Sequence, residues 1–119
     1  MAGNALQHLA DVEEIDIAFR RPNGSIGSTP IWVVQVGEDI FVRSVRGTRG
    51  GWYRRLRADP DGEVRDGGRT HPVHAEPVAD ERTLGEVTGA YETKYGDSPY
   101  VRPLLEGSSI GATLRLHPR

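Results

Sequence analysis

The segment Phe41-Val42-Arg43-Ser44-Val45-Arg46-Gly47-Thr48-Arg49-Gly50-Gly51-Trp52-Tyr53-Arg54-Arg55-Leu56 decides how this chain is read. It is a strand closing on Arg-Ser, then a glycine-rich turn, then a short helix opened by an aromatic pair. Six arginines and no carboxylate fall between positions 43 and 57, in a protein of net charge -2. A guanidinium is a planar fork of donors that matches phosphate oxygens, and glycines let backbone N–H groups reach the same anion. A helix N-terminus adds partial positive charge at that point. The segment therefore suits a phosphate-bearing ligand lying beside an aromatic ring.

Outward from this segment, the 119 residues form one domain with one core. Hydrophobic residues make up 36% and charged residues 27%, the mix of an ordinary globular protein. The acidic balance speaks against nucleic acid as a partner, since such binders carry a basic face. Without cysteine there are no disulfides, thiolate metal sites or thiol catalysis. No apolar run reaches the roughly 18 residues of a membrane span, and the first residues lack a basic-then-apolar leader, so no membrane contact and a cytoplasmic location are expected.

Residues 4–12 can form an opening helix within an N-terminal extension over residues 1–13. Glu14–Arg20 alternates Ile15, Ile17 and Phe19 with shorter or charged residues, the period of a half-buried strand. Pro22-Asn23-Gly24-Ser25 carries hairpin-turn chemistry. Thr29–Val36 reads as one central strand buried on both faces, turning at Gly37-Glu38-Asp39 into a strand over Ile40–Arg46. A helix over Trp52–Ala58 follows, then strand Glu63–Asp66, the Gly67-Gly68 turn and strand Arg69–Val78. Pro72 and Pro77 point that last strand to an edge or a bulge. Asp80 or Thr83 caps a longer helix with Leu84, Val87, Tyr91 and Tyr95 at helical spacing. Ser98-Pro99 opens a short helix, and Ala112–His117 closes the chain as a strand. The predicted fold is mainly β with flanking helices (α+β): six antiparallel strands in a barrel.

This pattern resembles the flavin- and deazaflavin-binding split β-barrel proteins, the pyridoxamine-phosphate-oxidase-like superfamily, and most closely its deazaflavin-dependent nitroreductase branch. The resemblance rests on Arg21, Gly24 and Thr29-Pro30-Ile31, then on Ser44, Gly50-Gly51, Trp52, Leu56 and Ala58-Asp59-Pro60. Gly67-Gly68, His74-Ala75-Glu76-Pro77 and Glu81-Arg82 continue it in order. Ile31-Trp32-Val33-Val34, Trp52-Tyr53-Arg54 and Thr113-Leu114-Arg115-Leu116 also resemble a small uncharacterised family related to these barrels. Two departures stand out: Ser25 and Gly27 occupy places usually basic, and Arg55 replaces an asparagine.

The resemblance implies a split barrel over residues 1–119, acting as a homodimer. It also implies an oxidoreductase that binds a deazaflavin coenzyme or FMN and reduces a small electron-poor substrate. The alternative is a non-catalytic ligand-binding or accessory module on the same barrel. Arg43, Ser44 and Arg46 are the expected phosphate ligands, with Thr29, Gly51, Trp52 and Arg54 completing the cofactor site. Arg43→Ala is then expected to weaken binding and spare folding. Trp52 either stacks on the cofactor ring or anchors its helix to the core. Trp32 and Tyr100 are candidates for the substrate pocket, although Trp32, mid-strand in an apolar run, reads first as a packing residue. His71 and His74 fall on opposite faces of a strand and no third ligand lies nearby in sequence, so no metal site is expected. No nucleophile or acid–base residue stands out.

Overall fold

A computed structural model describes residues 5–119. Residue 4, the predicted start of the opening helix, lies outside the described residues; what forms is a 3₁₀ turn over Gln7–Asp11. Seven strands follow the predicted order: β1 (Ile15–Arg20), β2 (Ile26–Ile31), β3 (Val33–Val36), β4 (Asp39–Arg43), β5 (Asp61–Asp66), β6 (Arg69–Pro77) and β7 (Thr113–Pro118). The helices are α1 (Gly51–Ala58), α2 (Glu81–Tyr95) and α3 (Arg102–Leu105). The fold is the expected antiparallel split barrel with flanking helices, with one strand more than predicted.

The extra strand comes from a break at Trp32. Strand order across the single sheet is β2-β1-β5-β6-β7-β4-β3, every pair antiparallel. β2 and β3 are therefore opposite ends of the sheet, yet one residue separates them in the chain. A flat sheet cannot satisfy both facts, so the sheet curls into a half-barrel whose open seam is spanned at Trp32. The run 29–36 is thus two edge strands. Its double burial holds only at Val33 and Val34, which face the barrel interior and α2 respectively.

Period-2 alternation divides the core into two layers. Ile15, Ile17, Val33, Ile40, Val42, Val64, Val73, Leu114 and Leu116 fill the barrel, closed at the side by Leu56 and Tyr53 of α1. Val34 and Phe41 face outward beneath Val87, Tyr91 and Tyr95 of α2. Asp80 caps α2 by accepting the Thr83 N–H at 2.9 Å.

That helix also fastens the seam. Tyr91 Oη donates to Trp32 O at 3.0 Å, the Val33 N–H donates to Tyr95 Oη at 3.1 Å, and Tyr95 Oη donates to Glu13 O at 2.6 Å. The Trp32 ring stacks on Tyr95 with centroids 4.1 Å apart and planes 3° from parallel. Lys94 Nζ donates to the carbonyls of Val33, Val12 and Leu9 at 2.6, 2.7 and 3.3 Å. Burial raises the Tyr91 phenol and lifts Tyr95 to about 12, so both stay neutral donors at ordinary pH.

β6 is not an edge strand; it lies between β5 and β7. Its prolines are tolerated because each missing donor faces past a neighbour's end. The Pro72 carbonyl accepts from Arg119 N–H just beyond β7, so the Pro72 nitrogen points the same way. Pro77 points by alternation toward β5, which has already begun downstream at Asp61 opposite His74.

Backbones approach closely where β5 pairs with β1: a Cβ at Gly62 would lie 2.6 Å from Ala18 O and 2.9 Å from Leu56 Cδ2. Gly62→Ala is expected to lower unfolding free energy by about 1–3 kcal/mol. Urea denaturation with an unchanged m-value checks it.

Candidate functional site

The seam where β2 gives way to β3 opens beside the end of β4 and the start of α1, leaving a cleft of about 650 Å³. That volume lies within the range of small-molecule and cofactor sites. Thr29, Pro30, Ile31 and Trp32 line one stretch, and Arg43, Ser44, Val45 and Arg46 another. Gly50, Gly51, Trp52 and Arg55 come from the start of α1, while Tyr100 and Leu104 come from the α2–α3 segment. Phe19, Arg21 and Glu14 complete the wall. Eight of the nine residues singled out from sequence therefore share one cleft, with Arg54 outside its lining.

One end of the cleft gathers hydrogen-bond donors. α1 begins at Gly51 with no side-chain cap, and its N-cap is Gly50. Arg54 N–H is the first to bond back, to Gly50 O at 3.0 Å. The N–H groups of Gly51, Trp52 and Tyr53 have no partner among the described residues, the ordinary state of a helix's first turn. Ser44 is 1% exposed, and its hydroxyl likewise has no hydrogen-bond partner among the described residues. A Cβ at Gly50 would collide with Ser44 Oγ, so only glycine lets the turn close over that hydroxyl. Gly47 holds φ 67°, a left-handed turn conformation favouring glycine, and delivers the chain into this approach.

Arg46 and Arg55 bring positive charge, and neither forms an ion pair or hydrogen bond among the described residues. Arg21 is less free: its Nη1 donates to Ile26 O at 3.3 Å, with its guanidinium 5.8 Å from the Phe19 ring centroid. Gly27 makes room for that arrangement, since a Cβ there would press on both side chains. Glu14 is the cleft's carboxylate.

Two of the expected residues are placed differently from the rest. Arg43 touches the cleft wall but is 2% exposed, and four of its five N–H donors are used inside the fold. Nε donates to Thr113 Oγ1 at 2.8 Å and Nη1 to Thr88 Oγ1 at 2.7 Å and Leu104 O at 2.8 Å. Nη2 donates to Leu84 O at 3.0 Å. Desolvation draws its pKa below the usual arginine value, with the neighbouring Tyr91 acting the other way. Arg43 follows Phe41 by two residues, so alternation sends it under α2. Arg54 is displaced by helix geometry: Trp52 and Arg55 are three apart and share the face toward the cleft. Trp52 packs half-buried against the barrel core and also lines the cleft.

The chain belongs to the family described as uncharacterized protein conserved in bacteria (DUF2255), whose model matches residues 5–116. Among curated proteins none matches it in sequence. Solved structures share its fold at low identity. Campylobacter jejuni ChuZ superposes with TM-score 0.72 at 9% identity over 96% of this chain, which spans 50% of that protein's length. HutZ from Vibrio cholerae, described as a heme storage protein, gives 0.69 at 13% identity over 96% of this chain and 86% of its own. An F420-H2 dependent reductase, FDR-A, gives 0.67 at 16% identity over 89% of this chain and 95% of its own.

With Arg43 a structural clamp, the expectation for its removal reverses. Arg43→Ala would leave two carbonyls and two hydroxyls under α2 without their donor. It is expected to cost roughly 2–4 kcal/mol of stability. Chemical denaturation of the variant beside wild type measures it, and unchanged stability would overturn the clamp.

Proposed function

We propose that this protein binds a phosphate-bearing deazaflavin or flavin cofactor in the cleft and reduces a small electron-poor substrate there. One observation carries the reading: a single cleft joins an uncapped helix N-terminus and the Ser44 hydroxyl to an aromatic lining. The first part suits a phosphate and the second a flat ring. The residues present fit such a cofactor. Ser44 Oγ and the Gly51 and Trp52 N–H groups would hold phosphate oxygens, and Arg46 and Arg55 would neutralise their charge. Trp52 and Trp32 supply aromatic surface for the ring, with Thr29 and Pro30 on the same wall.

When bound, the cofactor supplies the hydride. The chain's own residues bind, orient and exclude water, which accounts for a cleft whose lining holds no histidine, cysteine or lysine. The likeness to F420-dependent reductases supports this reading. A heme site is less well supported, although HutZ shares the fold. His8, His71, His74 and His117 all lie outside the cleft lining, so no imidazole of this chain is placed there to ligate iron.

A homodimer belongs to the same proposal. Val45 is 56% and Tyr100 76% exposed, and both rim the cleft. Apolar surface at that mouth is what a second copy would cover, and one structure of the same fold is described as a domain-swapped dimer. Sedimentation reads the oligomeric state directly.

Binding is tested by titrating the full chain with FMN and with the deazaflavin coenzyme while following Trp32 and Trp52 fluorescence. Saturable quenching by one of them is expected. Arg46→Ala and Arg55→Ala should each weaken it by about 1.5–3 kcal/mol, the worth of a hydrogen bond to a charged group. Arg54→Ala should leave it unchanged. No quenching by either compound would sink the cofactor reading; tight binding without reduction of nitro or quinone substrates would favour the non-catalytic module.

A further inference from the structure

Outside the cleft lining, three residues remote in sequence meet at one end of the barrel. His8 lies in the opening 3₁₀ turn, Asp66 ends β5, and His71 is near the start of β6. A ring nitrogen from each histidine and a carboxylate oxygen of Asp66 all lie within 4.8 Å of one another. His8 Nε2 and Asp66 Oδ2 are 3.2 Å apart, and the two imidazole centroids 4.9 Å apart.

Strand register explains the meeting. His71 lies opposite Val64, and Val64 shares a face with Asp66 two residues on. Val64 is in the barrel core, so His71 and Asp66 project on the inward side at the hairpin end, where the 3₁₀ turn lays His8 over them. His74, on the opposite face, pairs instead with Asp61 at 2.8 Å. The neighbours of His71 in this cluster come from the preceding strand and from the opening turn.

A second observation marks the cluster as more than a hydrogen bond. His71 Nε2 is buried and has no hydrogen-bond partner. A buried nitrogen left unpaired is unfavourable, and the usual resolution is a water or an ion that takes its lone pair. Two imidazoles and one carboxylate form a donor set for a divalent transition ion; calcium and magnesium want oxygen ligands. Three protein ligands leave a tetrahedral ion one position for water.

We propose that His8, Asp66 and His71 bind one divalent transition-metal ion of the zinc type. The ion clamps the opening 3₁₀ turn to the β5–β6 hairpin. Its role is attachment: Lys94 Nζ of α2 donates to Leu9 O and Val12 O, and the ion would tie the same turn to the β5–β6 hairpin.

The test uses the full chain stripped with chelator, titrated with Zn²⁺ by calorimetry and with Co²⁺ by visible absorption. One ion per chain is expected, with Co²⁺ ligand-field bands in the visible and a higher Tm on Zn²⁺ addition. His71→Ala should weaken binding by roughly tenfold or more, since loss of even an outer-shell partner costs that much. It should also abolish the Tm rise. Asp66→Asn and the milder His71→Gln guard against a folding defect, and their metal-free melting is compared with wild type. His74→Ala, which removes an exposed histidine outside the cluster, should bind as wild type does. No saturable micromolar binding by wild type, or binding that survives both His71 variants and Asp66→Asn, would overturn the proposal.

Discussion

The interior guanidinium of Arg43 is the constraint around which the site is arranged. A buried cation needs either a counter-ion or enough oriented dipoles to replace its hydration. No carboxylate among the described residues pairs with it; two carbonyls and two threonine hydroxyls take its donors instead. Those acceptors belong to α2, α3 and the start of β7. The hydroxyls are themselves fixed, since Thr88 Oγ1 donates to Leu84 O at 3.0 Å and Thr113 Oγ1 to Ile110 O at 2.8 Å. One side chain thus ties the last residue of β4 to three later elements. The next residue, Ser44, is left at the cleft with its hydroxyl free.

The seam and the cleft are one consequence of this tethering. A sheet whose end strands are joined by Trp32 alone must curl, and something must hold the join. α2 does so from outside through Tyr91, Lys94 and Tyr95, and Arg43 anchors the same helix to β4 at Leu84 and Thr88. The end of β4 and the β2–β3 junction are therefore fixed against one helix. What remains between them and α1 is open space bordered by rigid elements, the setting in which a binding site keeps its shape.

Much of the barrel was legible because alternation, turn glycines and the Asp80 cap are local signals. The break at Trp32 was not. An unbroken apolar run looks the same whether it is one central strand or two edge strands, and only sheet order separates the cases. Arg43 was legible in principle: Phe41 and Arg43 share a face by alternation, so an apolar Phe41 under a helix commits Arg43 to that layer. Local charge density outweighed that argument in the sequence reading. Arg55 was likewise readable, since it stands three residues from Trp52 and must share its face. The meeting of His8, Asp66 and His71 depends on how the chain's first turn folds back, and no spacing rule reaches across 58 residues.

The composition of the cleft finally limits what chemistry it can host. Acid–base or nucleophilic catalysis needs a group with a tunable proton or lone pair near the reacting atom. The lining offers Glu14, hydroxyls, arginines and aromatic rings. Arginine stays protonated and holds anions without exchanging protons at ordinary pH. A site so equipped recognises charge and planarity well but supplies little reactivity of its own. A reaction there would have to be carried by a bound molecule, which the Ser44 hydroxyl, open helix end and unpaired arginines would hold in one orientation. The burial of Arg43 sharpens this point. The most basic segment of the sequence has one guanidinium spent on architecture, and only Arg46 and Arg55 face the cleft unpaired.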